Sequence, residues 1–219
     1  MELAPQLGVR GQRLPPLILV LGEFIYTKSL GEMVTICLEW KGHEMNMPEE
    51  RRVILHIATS LDGFIATLDD GLEWLPEASE LEDYGMEKFM QTIDCVLIGR
   101  RTWDIISQFE EEQFTEFERH IISRRTHNAI DFIRDLKNKS GKNIWLLGGG
   151  ILNGECLQAE LIDEIVVTQI PIELENGIPV YGKYGIHLSD SWKRDSETKF
   201  AGDITQIIWK PVTSTCCSR

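Results

Sequence analysis

Two short stretches place glycine, cationic and hydroxyl residues where apolar runs end: Gly99-Arg100-Arg101-Thr102 in "VLIGRRTWDII" and Gly148-Gly149-Gly150 in "IWLLGGGILN". Glycine lets a ligand come close to the backbone, and a helix starting there adds unpaired N–H groups and the positive end of its dipole. That chemistry suits phosphate. Arginine adds two-point recognition of a phosphate monoester, so Arg100 or Arg101 is the candidate for such a group. Ser123 and Arg124, closing "RHIISR", extend the same donor set. Each stretch alone has a plainer reading, since glycine triplets often serve tight packing and paired arginines are often only solvated. Two such junctions in one sheet would suit a ligand with several phosphates, a dinucleotide above all, and the arginines suit the extra phosphate that distinguishes NADPH from NADH. The pattern is not a Rossmann fingerprint, because in "GGGILNG" Asn153 stands where the third glycine is required.

The elements that must position these residues can be read from Arg51 onward. "RVILHIATS" is a continuous, β-branched apolar run, as in a strand buried on both faces, and "LDG" follows as its turn. "EASELEDYGMEKFMQTI" carries Leu81, Tyr84, Phe89 and Ile93 at helical intervals and predicts a helix interrupted only at Gly85. "CVLIG" reads as a strand and "RTWDIISQF" as a short helix entered at Arg100 or Arg101. "RHIISR" is a further strand, and Asn128 is a plausible N-cap for "AIDFIRDLKNKSG", with Ile130, Ile133 and Leu136 on one stripe and Gly141 as its end. "NIWLLGGG" predicts a buried strand leading into a helix over "ILNGECLQAE". The remainder, "DEIVVTQIPIEL", "HLSDSWKRD" and "DITQIIWKPV", reads as strands without helices between them. The expected fold is therefore α/β, a mostly parallel central sheet flanked by helices and finished by a C-terminal antiparallel β meander. In such sheets ligands bind beyond the carboxyl ends of the strands, where both glycine junctions fall.

Composition narrows the partners. With 35 acidic against 22 basic residues, the net charge of -13 opposes binding along a nucleic-acid backbone. An anionic ligand must be caught by a local pocket. The five cysteines, Cys37, Cys95, Cys156, Cys216 and Cys217, form no CxxC pair and no spacing with histidine that suits zinc, so no metal is expected and the thiols read as reduced and cytoplasmic. The apolar run between Arg13 and Tyr26 is broken by Glu23 and too short to span a bilayer, so no membrane partner is expected. Residues 1–46 read as an extension, either an over-extended start preceding Met45 or Met47 or a disordered segment. Residues 51–211 read as one domain and 212–219 as a polar tail.

From Arg52 to about Pro211 the chain resembles the dihydrofolate reductase fold, in the branch holding stand-alone family members and the reductase domain of RibD-type riboflavin-biosynthesis enzymes. The resemblance lies in "IATSLDGFIA", "VLIGRRTWDII", "IWLLGGGILN" and "DEIVVTQIPIELENGIPVYG", in the family's order, and "SLDG" points to the RibD-like branch. It implies an enzyme that transfers a hydride from NADPH to a pyrimidine- or pterin-like heterocycle, with reduction of 5-amino-6-(5-phosphoribosylamino)uracil in riboflavin biosynthesis as the leading activity. Dihydrofolate-type pterin reduction and a non-catalytic nucleotide-binding protein are the alternatives. By position, the resemblance implies that Gly99, Arg100, Arg101 and Thr102 hold the 2'-phosphate and pyrophosphate, and Ser123 and Arg124 the adenosine side. Gly148 and Gly149 match a pair joined by a cis peptide in dihydrofolate reductases, and Gly150, Ile151 and Leu152 continue that cofactor-binding segment. Ala58 and Ile65 would line the nicotinamide region, with Ile57, Ile106 and Thr168 toward the substrate. Thr168 matches the threonine whose hydroxyl steadies substrate and acid. Two residues after the proline of "WLPEAS", where the family's acid stands, this chain has Ala78, which leaves Glu77 or Glu80 as the carboxylic acid. Phe64 stands where RibD-type reductases commonly have a cation, a role left to Lys183 or another basic residue, and the link from Ser123 to Ile130 is short for the family. A homodimer is common in this branch.

Overall fold

Val53–Ser60 forms β1, with Val53 and Leu55 fully buried and Ile54, His56, Thr59 and Ser60 nearly so. A strand covered on both faces needs an apolar run without alternation, which is how this one reads. The structure is a computed structural model that describes residues 51–76, 83–108, 114–123, 128–184, 188 and 191–212. The expected extension over residues 1–46, the tail from residue 213, and Glu77, Ala78, Glu80 and Arg124 lie outside the described residues.

Past β1 the chain forms β2 (Phe64–Ala66), α1 (Met86–Met90), β3 (Ile93–Gly99), α2 (Arg100–Ile106), β4 (Glu118–Ile122), α3 (Ala129–Lys137), β5 (Asn143–Gly148), α4 (Gly150–Gln158), β6 (Glu164–Ile170), β7 (Ile178–Pro179), β8 (Trp192–Lys199) and β9 (Thr205–Pro211). Among the described residues seven strands make the main sheet in the order β4-β3-β5-β1-β6-β9-β8, while β2 and β7 pair separately. The five strands from β4 to β6 are mutually parallel; β9 adds antiparallel to β6, and β8 antiparallel to β9. The expected architecture is present. Its last strand, β9, returns inside the edge strand β8, because apolar Ile207 needs burial and the polar run from Trp192 to Lys199 does not.

One core lies on the side of α3 and α4, where Ile133, Leu136, Leu152 and Cys156 pack on Leu55, Leu97, Leu146 and Ile165. On the other face, α1 and α2 bring Phe89, Trp103 and Ile106 onto Val96, Ile98 and Trp145. The helix expected over "EASELEDYGMEKFMQTI" is shorter where described: Tyr84 and Gly85 both take positive φ, 46° and 77°, so α1 begins only at Met86. Ile93 already belongs to β3, and Tyr84 packs edge-on against Phe200. Asn128 occupies the N-cap of α3, but its side chain makes no capping bond; its amide donates instead to Asp131 at 2.5 Å. The helix ends at Asn138, ahead of Gly141.

Candidate functional site

At the carboxyl end of β3, Gly99 turns the chain directly into α2, which packs on one face of the sheet. At the end of the neighbouring β5, Gly148 and Gly149 turn it into α4, which packs on the other face. Adjacent strands whose helices leave to opposite sides open a crevice between the two helix starts. The two junctions touch. A Cβ placed on Gly99 would lie 3.0 Å from the Gly148 carbonyl oxygen, and one on Gly149 would lie 2.7 Å from Thr102 Oγ1. Gly148 and Gly149 have φ of 112° and 94°, a conformation that L side chains rarely adopt, so glycine is required there for both conformation and clearance. The peptide joining them is trans, where dihydrofolate reductases have a cis bond.

The crevice opens into a cavity of about 810 Å³, in the range of small-molecule sites. Of the residues singled out from sequence, it gathers Gly99, Arg100, Arg101, Thr102 and Ile106 from α2 and its approach, and Gly149, Gly150, Ile151 and Leu152 from α4. Ile65 and Ser123 close two further sides. Gly148 is buried behind this lining, its backbone against the Asn153 side chain, whose amide donates to the Val180 carbonyl at 2.9 Å. The cavity also includes residues that the sequence did not assign to a site: Asp70, Leu72, Asn128, Ala129, Ile130, Glu155 and Ile178. Asp70 matters most, because it accepts from Arg101 Nε at 3.0 Å and Nη2 at 2.7 Å. Its signal was the Asp-Gly turn in "TLDDGL", which announces a turn but not its distant partner. Arg100 faces Asp104 at 3.5 Å in an exposed pair within α2.

Thr168 and Ala58 lie opposite each other on β6 and β1, and among the described residues neither they nor Ile57 line this cavity. Thr168 is buried, and its hydroxyl oxygen accepts from Gln206 Nε2 at 3.1 Å. The same amide donates to the Tyr84 carbonyl at 3.1 Å, tying β9 to the approach of α1. Two residues before Ala58, on the same side of β1, His56 lies edge-on to Phe89 with ring centroids 4.6 Å apart. Burial pushes its imidazole down to about 4, and its Nδ1 is buried with no hydrogen-bond partner. It is a neutral ring at physiological pH. Beyond β1, Asp62 of the "SLDG" turn accepts from Ser60 Oγ at 2.6 Å and from the Leu174 and Glu175 amides, which anchors that turn to the segment after β6.

Residues 102–197 match the model of the RibD C-terminal domain family. Two proteins of Bacillus subtilis (strain 168) share the chain more widely. Uncharacterized protein YwjB is 33% identical over 145 residues, 60% of this chain and 83% of its own. Uncharacterized protein YyaP is 31% identical over 189 residues, 75% of this chain and 97% of its own. The chain belongs to the RibD C-terminal domain family. Among solved structures, a Shewanella sp. PV-4 protein named for riboflavin biosynthesis superposes with a TM-score of 0.60 at 26% identity, covering 74% of this chain and 99% of that one. The Thermotoga maritima diaminohydroxyphosphoribosylaminopyrimidine deaminase/5-amino-6-(5-phosphoribosylamino)uracil reductase superposes with a TM-score of 0.55 at 16% identity, covering 74% of this chain and 57% of that one, a likeness of fold. The two glycine junctions of this RibD C-terminal domain thus sit on a fold that it shares with these two proteins. No helix among its described residues is long and apolar enough to cross a membrane.

Proposed function

We propose that the protein is an NADPH-dependent reductase of a pyrimidine- or pterin-like heterocycle, with 5-amino-6-(5-phosphoribosylamino)uracil or a close relative as substrate. One observation carries this reading: the Gly99 and Gly148–Gly149 junctions abut and open on a single cavity beside Arg100 and Arg101. Such a cradle fits a dinucleotide, with close backbone approach at the glycines, N–H groups at the start of α4 and guanidinium groups for a phosphate monoester. NADPH, when bound, supplies a hydride to the substrate.

The chain's own residues hold and orient. Thr102, beside Gly149, offers a hydroxyl between the two junctions. Ile65, Ile106 and Leu152 give the cavity apolar walls that keep water from the reacting atoms. Thr168 lies outside the cavity lining and takes its substrate role from the family resemblance; with its oxygen engaged by Gln206, its O–H is the donor left for it. His56 is too weak a base to hold a proton at neutral pH; the family resemblance gives that role to Glu77 or Glu80. The buried thiols Cys95 and Cys156, both pushed up to about 12 by burial, suit a reducing cytoplasm.

Titration with NADPH should raise the melting temperature, and a panel of pyrimidine and pterin substrates should include one that oxidises it. Absence of any shift with NADPH or NADP+ would overturn the proposal. Tight binding without turnover across the panel would leave a nucleotide-binding protein on this fold.

A further inference from the structure

Asp70 meets Arg101 across 31 residues of chain, and both line the cavity. Two features distinguish this contact from an ordinary surface pair. Arg101 Nε and Nη2 converge on one carboxylate oxygen, Oδ2, while Oδ1 is buried without a hydrogen-bond partner. A side-on fork would satisfy both oxygens, so this pairing is incomplete and readily exchanged. The turn that presents Asp70 is also closed on itself. Thr67 N donates to the Gly71 carbonyl at 3.1 Å, Gly71 N to Thr67 Oγ1 at 2.8 Å, and Asp70 N to the Thr67 carbonyl at 3.1 Å. Asp70 itself stands at φ 70°. The segment after β2 therefore carries a preformed anion to one of the cavity's cations.

We propose that Asp70 is a specificity-determining residue of the cofactor site, an internal anion that holds Arg101 until a phosphate monoester replaces it; this rests on the NADPH reading above. A guanidinium offers carboxylate and phosphate the same donors, so the two compete for Arg101. A phosphate dianion can displace the carboxylate. A ribose hydroxyl, which NADH carries at that position, cannot. Asp70 thus lowers affinity for the phosphorylated cofactor without touching the other, and it sets how strongly the site prefers NADPH. Arg101 is largely exposed, so the exchange is worth a modest factor.

Calorimetric binding of NADPH, NADH and adenosine 2',5'-bisphosphate to wild type, Asp70→Asn, Asp70→Ser, Arg101→Ala and the Asp70→Asn/Arg101→Ala double variant tests this. Both Asp70 variants should bind NADPH and the bisphosphate about fivefold tighter than wild type, with NADH changed less than about twofold. The gain should vanish when Arg101 is replaced by alanine. Unchanged or weaker binding in both folded Asp70 variants overturns the proposal, as does an equal gain in the Arg101→Ala background, which would make Asp70 a general negative charge. If NADPH and the bisphosphate bind with the expected coupling while NADPH reduces no heterocycle, the reductase reading falls and the role of Asp70 stands; if NADPH does not bind at all, both fall. If NADPH supports turnover and the Asp70 variants bind as wild type does, the role of Asp70 falls alone.

Discussion

Thr168 and Arg100 show how differently single residues can be read. Arg100, Arg101 and Thr102 were legible because their meaning is local: a glycine ends a strand, a helix begins, and cations stand at its start. Thr168 was legible only through family resemblance, and its partner Gln206 not at all, since nothing in "DITQIIW" says which strand that residue will face. Replacing Thr168 with valine keeps shape and removes the donor. It should lower kcat/KM for the heterocycle about tenfold to a hundredfold with NADPH affinity unchanged, as measured by steady-state kinetics beside direct binding. A parallel loss of cofactor binding would move Thr168 out of the substrate site. Arg100, whose only described ion pair is the exposed contact with Asp104, is the freer of the two cations. Arg100→Ala should weaken NADPH about tenfold and NADH far less; equal losses in a binding assay would place the monoester elsewhere.

At the scale of elements, the alternation of strands and helices was readable because buried strands and amphipathic helices differ in period, as "CVLIG" and "AIDFIRDLK" illustrate. What escaped depends on backbone conformation or on neighbours distant in the chain. Gly85 in the left-handed region delays α1 to Met86, and the return of β9 inside β8 follows from burial across the sheet. The glycine junction tests the link between element geometry and site. Gly149→Ala must force a side chain into φ 94° with its Cβ 2.7 Å from Thr102 Oγ1, and it should destabilise by about 1–3 kcal/mol and abolish NADPH binding. Gly202 supplies the contrast: at φ 69° it is also strained for alanine but open to solvent. Gly202→Ala should destabilise by about 1 kcal/mol in denaturant melts and leave cofactor binding intact.

For the molecule as a whole, the buried imidazole of His56 couples stability to pH. Its folded-state value lies at about 4 against an ordinary 6.5, so the unfolded chain takes up a proton that the native state refuses. The stability present above about pH 6.5 is therefore lost as pH falls toward 4, by about 3 kcal/mol in all. Denaturant melts at several pH values should show a shallower acid limb for His56→Leu than for wild type; an identical limb would mean that the ring is reached by solvent. The net charge of -13 was legible at once, but the pairing of Asp70 with Arg101 in the cleft was not, because it depends on a turn folding back on a distant helix start. The sheet order has its own consequence for the chain as it is made. β1 precedes every other described strand, yet Val53 must wait for Ile144 and Leu55 for Ile165 before either neighbour exists. A nascent chain therefore carries this central strand unpaired through the synthesis of β2, β3, β4 and three helices, and the yield of native protein will depend on how well that strand is shielded until β5 and β6 leave the ribosome.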